Sequence, residues 1–420
     1  MTAPLIWLLA TIAQDTTTLT LEQAQRAAVA NHPSLASASL TAQATGEQVA
    51  QVKSALRPQL NIAATAVGAD AGTTIAAGTL QAQGLATRAA VGFGISQLVT
   101  DFGRTHELAE SARLRTKSLE QNIGTVKARI LLEVERVYYA SLSAQAVLKV
   151  MQSRVDMQRS TLRQIGALAE SGLRSTLDRS FADVAVSDAE LALFQAENAA
   201  RAADAQLAAA MGEQGPHRYR LTDVGLPEKV SDQTEELVEA ALRNRPELGA
   251  AKLNVAAAER LAAAEHRLRY PNISVLGAAG AVPFHRNGAQ ATYSAAGVNV
   301  TLPFLNGGLF KSRQIEAELR ARSAGKDVDA LQIQIAAAVR TSWQDADMAW
   351  QRLAVTNRMM EQTNVALRLA QSRYDAGLSG IVELTQSQLA LVSAQVQSAS
   401  AKYDYLQRIA TLNFAIGALR

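Results

Sequence analysis

Asn31-His32-Pro33 recurs 213 residues later as Asn244-Arg245-Pro246, and Arg57-Pro58-Gln59-Leu60 recurs at the same spacing as Tyr270-Pro271-Asn272-Ile273. Farther along the chain the spacing is 205: Asp101-Phe102-Gly103 matches Asn306-Gly307-Gly308, and Tyr138 matches Trp343. At that same spacing Ser171-Gly172-Leu173 matches Ala376-Gly377-Leu378, and Met211-Gly212 matches Ile416-Gly417. The register shifts once, by eight residues, between Pro58 and Asp101. Constant spacing on both sides of one gap marks a duplication, so the chain must fold as two copies of one supersecondary plan.

Each copy carries the same order of elements. A short helix at about 21–31, repeated at 234–244, stops before Asn-x-Pro, and a second helix starts at Pro33 and at Pro246. Pro58 and Pro271 end these second helices, because proline lacks an amide donor and pushes its predecessor out of the helical region. The hydrophobic period then becomes alternating, with Leu60, Ile62 and Ala64 in one run and Val91, Phe93 and Ile95 in the next. In the second copy the corresponding residues are Ile273 and Val275, then Val298, Val300 and Leu302. This pattern predicts strands at about 59–69 and 88–98, and at about 272–282 and 293–303. A proline-free helical stretch of unusual length follows each pair, at about 104–169 and 309–376, then a glycine turn and a return helix. The expected organisation is a first repeat at 14–212, a linker at 213–233 and a second repeat at 234–420.

Composition narrows the function classes. The chain has no Cys, which excludes a disulfide framework, a zinc–thiolate site, a thiol nucleophile and a lipid attached through Cys. The net charge of +3 is spread over 41 basic and 38 acidic residues without a basic block, so nucleic acid is not an expected partner. Aromatic residues make up only 5%, and the long helical stretches are rich in Ala, Ser and Gln, as in helices packed closely through small side chains. Their apolar stripe is too dilute for a strict heptad seam: Leu331 and Ile335 are followed by Ala338 and Ser342. Residues 1–13 are expected to be a signal peptide, since Pro4–Ala13 has the length of its apolar core and the small Thr11 and Ala13 precede Gln14, although no positive side chain precedes the run. No other stretch has the roughly 18 apolar residues that a transmembrane helix needs, so only the strands could cross a membrane.

Strands of about ten residues suit a tilted bilayer crossing, and only Asp70 and Arg88 carry charge between Pro58 and Leu98. Four strands cannot close, and an open sheet in lipid would leave backbone groups unpaired at several kcal/mol each. The strands therefore need partners from other chains. Two chains would supply eight strands, and three would supply twelve, enough for a lumen. The competing expectation is a pair of exposed hairpins on a soluble helical protein.

Across about 400 residues the chain resembles the TolC family of outer-membrane channel proteins of Gram-negative bacteria. The resemblance rests on Leu21-Glu22-Gln23-Ala24 with Asn31-His32-Pro33, on Arg57-Pro58, and on Asp101-Phe102-Gly103-Arg104. Pro303-Phe304-Leu305-Asn306-Gly307-Gly308 and Arg373-Tyr374-Asp375-Ala376-Gly377-Leu378 complete the set. It implies a mainly α fold with a membrane β part: a homotrimer with a twelve-stranded β-barrel in the outer-membrane lipid and a long α-helical barrel in the periplasm. It further implies an equatorial α/β belt to which 213–233 contributes. By the same resemblance the function is the passive exit duct of a tripartite efflux pump or type I secretion system. The partners would be a periplasmic adaptor (membrane fusion) protein and an inner-membrane pump of RND or ABC type.

The turns Glu170–Ser175 and Asp375–Gly380 are each followed by an acid at the same repeat position, Asp178 and Glu383. One reading is local, since Ser175-x-x-Asp178 has the capping-box pattern and an acid in a first helical turn suits the dipole. The other is a pore constriction, because three copies would turn each acid into a ring of carboxylates. The resemblance maps Glu383 onto one acidic position at the family's periplasmic entrance, while the second falls on the uncharged Gln386. Tyr374 resembles a latch residue; the latch arginine falls on Ser379, and Arg174 in the other turn is its expected replacement. Ser171, Gly172, Leu173, Ala376, Gly377 and Leu378 are expected to form adaptor-docking tips; the alternative for the two leucines is a helix-end contact within the chain.

A periplasmic adaptor or a coiled-coil structural protein is the rival class. Adaptors carry one helical hairpin flanked by lipoyl halves, and the duplication with two strand pairs argues against that pattern. His32, His106, His217, His266 and His285 form no HxxxH or HExxH pair, and there is no Walker or G-x-S-x-G motif. Met359-Met360 is isolated, so no methionine track for soft metals is expected. The sequence therefore predicts no catalytic residues, no metal and no cofactor.

Overall fold

A computed structural model describes residues 18–68, 74–75, 83–84, 88–214, 218–284 and 290–419. The expected signal peptide, His217 and His285 lie outside these residues. The chain begins with β1 (Thr18–Leu19), α1 (Leu21–Asn31), α2 (Pro33–Ser54) and β2 (Gln59–Val67). A small ladder, β3 (Thr74–Ile75) with β4 (Gln83–Gly84), precedes β5 (Arg88–Thr100), α3 (Arg104–Glu170) and α4 (Thr176–Ala210). After β6 (Arg220–Leu221) come α5 (Thr234–Asn244), α6 (Pro246–His266) and a 3₁₀ turn at Arg267–Arg269. β7 (Asn272–Phe284), β8 (Thr292–Thr301), α7 (Leu309–Asp375) and α8 (Ile381–Ala415) complete the chain. The repeat shows in the lengths: α3 and α7 have 67 residues each, α4 and α8 have 35, and α1 and α5 have 11. A helix of that greatest length spans about 100 Å.

Contacts divide the fold into two compact units. The first holds the described parts of Met1–Ser37, Ile123–Pro246 and Gln332–Arg420. Its main core gathers Ala24 and Ala28 of α1, Val134, Tyr138 and Leu142 of α3, Leu207 and Met211, and Tyr403 and Leu406 of α8. α1 starts on a closed capping box, in which Thr20 Oγ1 accepts from the Gln23 amide and Gln23 Oε1 accepts from the Thr20 amide. The duplicated motifs meet here in pairs. Gly212 has φ +75°, and a Cβ on it would lie 3.0 Å from the Asn31 carbonyl oxygen; Gly417 has φ +73°, and its Cβ would lie 3.2 Å from the Arg245 amide nitrogen. Asn-x-Pro and the glycine that ends the return helix thus recur together because their backbones touch.

Four of the scarce aromatic side chains bond one irregular segment of this unit. The Tyr138 hydroxyl lies 3.0 Å from the Leu19 carbonyl and 2.8 Å from that of Thr222, across the parallel pairing of β1 with β6. Trp343 Nε1, at the repeat position equivalent to Tyr138, donates to the Ser231 carbonyl at 2.9 Å. Tyr405 donates to Glu228 O at 3.0 Å and Tyr403 to Asp223 Oδ1 at 3.2 Å. A chain segment with little periodic structure is held by side-chain donors that satisfy its carbonyls.

Glu135 of α3 is buried beside this core, where Gln25 Nε2 donates to its Oε1 at 2.7 Å. Burial pushes its carboxyl up to about 7, against the opposing hydrogen bond from Gln25.

The second unit holds the described parts of Ala38–Asn122 and Glu247–Leu331. Its centre is a four-stranded antiparallel sheet in the order β2-β5-β7-β8. Register sorts the side chains by face. Leu60 and Ile62 stand opposite Ile95 and Phe93, Gln97 stands opposite Val275, and Val275 and Ile273 stand opposite Val298 and Val300. The other face carries Gln59, Asn61, Gly92, Gly94, Ser96, Ser274, Asn299 and Thr301. One face is therefore mostly apolar and the other mostly small or polar, with alternation along every strand.

Glycine is required where Tyr293 lies across the polar face. A Cβ on Gly92 would sit 2.2 Å from the Tyr293 hydroxyl, and one on Gly280 would sit 2.6 Å from it. Below the sheet Asp101 caps α3, accepting from the Thr105 amide at 2.7 Å. Ser111 and Ser118 of α3 donate to the carbonyls of Ala257 and Ala250 of α6 at 2.7 and 2.8 Å, so small residues replace a leucine seam here.

Two outcomes follow from these contacts. Glu135 is neutral in both folded and unfolded chains below pH of about 4.5, retains its proton only when folded between there and about 7, and is charged in both above that. Its penalty therefore grows as pH rises through this window, reaching roughly 3 kcal/mol. Glu135→Gln is expected to raise the unfolding temperature at pH 8 and leave it nearly unchanged at pH 4.5; equal gains at both would refute the assignment. Gly92→Ala is expected to lower the yield of heat-stable protein in detergent, and adding Tyr293→Ala should restore part of it, because the Cβ would still lie 3.0 Å from the Ala279 carbonyl oxygen.

Candidate functional site at the helical turns

The two long helices end the same way. The Leu173 amide donates to the Leu168 carbonyl at 2.9 Å and the Gly172 amide to Ala169 at 3.1 Å; Leu378 donates to Arg373 at 2.8 Å and Gly377 to Tyr374 at 3.0 Å. These are Schellman closures, which need a left-handed residue, and Gly172 and Gly377 have φ +74° and +73°. Such a closure usually buries the following apolar residue against its own helix. Here Leu173 and Leu378 remain 72% and 73% exposed. Ser171, Gly172, Ala376 and Gly377 are exposed around them. Each turn therefore presents a largely exposed leucine.

The structure brings Arg174 and Tyr374 together across the two turns. The guanidinium carbon lies 4.2 Å from the ring centroid, and Nη2 donates to the Tyr374 carbonyl at 2.5 Å. Tyr374 is 4% exposed and packs with Ile165, Ala182, Ile381 and Leu384. Burial pushes its phenol up, with Arg174 opposing. Its hydroxyl and that of Ser379 are buried without a partner among the described residues.

Glu383 lies in the first turn of α8 and is exposed, 3.1 Å from Arg373 Nε. Asp178 lies in the first turn of α4 after Ser175, whose Oγ accepts from the Leu177 amide at 3.1 Å. That capping bond goes to the second helical residue, and the reciprocal bond of a capping box is not formed. Gln386 is exposed and lines a groove of about 450 Å³ with Arg154, Phe181, Asp188 and Val382. Glu383 and Asp178 do not line it.

Sequence reasoning missed the polar contacts behind the turns. Gln158 Nε2 donates to Gln388 Oε1 at 3.1 Å, and Gln388 Nε2 donates to Thr161 Oγ1 at 3.2 Å; both glutamines are 2% exposed. Arg154 Nη2 reaches Asp188 Oδ2 at 2.5 Å. A signal existed: Gln388 occupies the apolar stripe of α8 between Leu384 and Leu391, where packing alone would call for leucine. The Arg373–Glu383 pair gave no signal, since its partners sit on different helices.

The profile of the outer membrane efflux protein family matches residues 20–213 and 237–418, and the chain belongs to that family. It is 23% identical over 327 residues to the toluene efflux pump outer membrane protein TtgF of Pseudomonas putida, covering 75% of this chain and 66%, just under two thirds, of TtgF. It is 23% identical over 405 residues to the outer membrane protein TolC of Vibrio cholerae, covering 93% of this chain and 88% of that protein. The crystal structure of a membrane protein from Pseudomonas aeruginosa superposes with a TM-score of 0.80 at 18% identity, covering 94% of this chain and 90% of the other. The protein is thus an outer membrane protein of the TolC type, with that fold.

Gly377→Ala forces a Cβ into the left-handed region and is expected to cost about 1–2 kcal/mol. Gly166→Ala, in the interior of α3 with open space around it, should instead stabilise by up to about 1 kcal/mol. Opposite shifts of the denaturation midpoint would be seen; shifts of the same sign would contradict the turn geometry.

Proposed function

We propose that this chain is the exit duct of a tripartite efflux pump or type I secretion system and that it works as a homotrimer. The observation that carries the reading is the sheet: four strands, one mostly apolar face, one small polar face, and two edges without a partner strand among the described residues. Among the described residues no helix is long and apolar enough to cross a membrane. In hydrocarbon the edges of β2 and β8 must be paired, and three copies supply twelve strands around a lumen lined by the polar face. The long helices would then form the periplasmic barrel, and the segment pinned by Tyr138, Trp343, Tyr403 and Tyr405 its equatorial belt.

The bare Leu173 and Leu378 would dock a periplasmic adaptor, and an inner-membrane pump of RND or ABC type would supply the energy. The duct itself conducts passively and performs no catalytic step. Arg174 over Tyr374 would hold the two turns in the closed state. In the trimer Glu383 becomes a ring of three carboxylates at the constriction, its charge tempered by Arg373; Asp178 and the neutral Gln386 would line the same approach. Opening is a shift between two states biased by adaptor contacts.

Single-channel recording in planar bilayers tests this. Arg174→Ala is expected to raise conductance by freeing the turns. Glu383→Ala should raise conductance or weaken cation preference, and Arg373→Ala should strengthen that preference. Unchanged conductance and selectivity in the Glu383 and Arg373 variants would remove both from the gate. Crosslinking that stops at monomers in membranes would sink the trimer.

A further inference from the structure

The strand–helix junctions gather at one end of the sheet. Antiparallel pairing sets Gln59 opposite Ser96, Leu98 opposite Ser274, and Asn272 opposite Thr301, so the starts of β2 and β7 lie beside the ends of β5 and β8. The strands of this sheet hold a single charged residue, Arg88, at the opposite end. Charge returns abruptly at the junctions, and it is lopsided.

The acids there are buried and engaged. Asp101 caps α3; Glu107 accepts from Arg267 at 2.9 Å and Arg260 at 3.2 Å; and Glu265 is held by Arg313 at 2.8 Å. The exposed cations are left over: Lys53, Arg57, Arg269 and Lys311 have no acidic partner among the described residues. Beside them the chain exposes Phe304 at 92% and Leu305 at 90%, and Leu302 continues the apolar face of Val298 and Val300. The rings of Phe102 and Tyr270 meet at 5.8 Å at the same end.

An apolar face, then an aromatic and leucine band, then cations without anions is the profile of a protein surface crossing from acyl chains into anionic headgroups. We propose that this end of the sheet docks anionic phospholipid of the periplasmic leaflet. Leu302, Phe304 and Leu305 enter the acyl boundary, and Arg57, Arg269 and Lys311 take the phosphates, where the guanidinium fork fits two oxygens at once. The proposal rests on the outer-membrane trimer. In that assembly β8 of one copy would meet β2 of the next, bringing the junction that carries Lys311 beside the one that carries Arg57, and an anion there would relieve the repulsion of like charges.

The test uses the full chain purified in detergent and exchanged into nanodiscs with equal phosphatidylglycerol and phosphatidylcholine, with retained lipid measured by native mass spectrometry. The wild type is expected to prefer phosphatidylglycerol by at least about tenfold, given the attraction of several cations at the surface. Arg57→Gln/Arg269→Gln/Lys311→Gln should abolish that preference while remaining assembled. Equal retention of the two lipids by the wild type, or a preference that survives in the triple variant, overturns the proposal. A chain that never enters the nanodisc overturns the outer-membrane duct instead. Phe304→Ser/Leu305→Ser should lower total retained lipid with the oligomer intact; loss of the oligomer with lipid retention unchanged would assign that segment to a neighbouring copy and overturn its acyl role.

Discussion

An unpaired backbone amide or carbonyl in hydrocarbon costs several kcal/mol, and the sheet of this protein presents two edges of them, on β2 and β8. A soluble protein would blunt such edges with charge or proline. These strands contain one charged residue, Arg88, and the only proline within them is Pro283, near the end of β7, which is not an edge strand. The edges are instead kept fit for pairing. Two glycines of the polar face keep the ladder unbent, because Gly92 and Gly280 leave room for the Tyr293 ring and, at Gly280, for the Val91 carbonyl oxygen.

Away from the sheet, small side chains set the packing. Ala24, Ala28, Ala241 and Ala264 are fully buried, and Ser111 and Ser118 reach helix carbonyls directly. Backbones that approach this closely gain dispersion contacts over long lengths without large side chains. The cost is a thin core, and the structure offsets it at the segment around Thr222 and Ser231, where tyrosine and tryptophan donors combine large buried area with a satisfied polar tip.

The duplication, the element order and the alternation of the strands were legible in the sequence because proline, glycine and period are local signals. So was the fold class. The pairing of Asn31 with Gly212 was visible only as two recurrences; that they touch is a property of the packed backbone. Contacts between helices were largely hidden. Glu135 reads as one more acid on a long helix, and nothing local says that its neighbours exclude water. Gln158 and Gln388 break an apolar stripe, which was readable in principle, but their mutual bond was not. Leu173 and Leu378 are exposed, where an apolar residue after a Schellman glycine normally packs inward; the turn motif alone did not show this.

The two ends of the first unit differ in how their aromatic donors are satisfied, and this bears on where the proposed duct would move. Around β1 and β6 the Tyr138 hydroxyl lies within hydrogen-bonding distance of two carbonyls, and the Trp343 indole has its own. At the turns the Tyr374 and Ser379 hydroxyls are buried without a partner, and Arg174 is held by a ring face and one carbonyl. A buried hydroxyl left unpaired costs about 1–3 kcal/mol, and that cost vanishes once the group reaches water. Separating the turns would expose both hydroxyls and so recover part of what is lost in Arg174–Tyr374 contact. Loosening the segment around Thr222 would only exchange hydrogen bonds already made for bonds to water. This supports the proposal that opening begins at the turns, where the proposed gate and the proposed docking leucines lie.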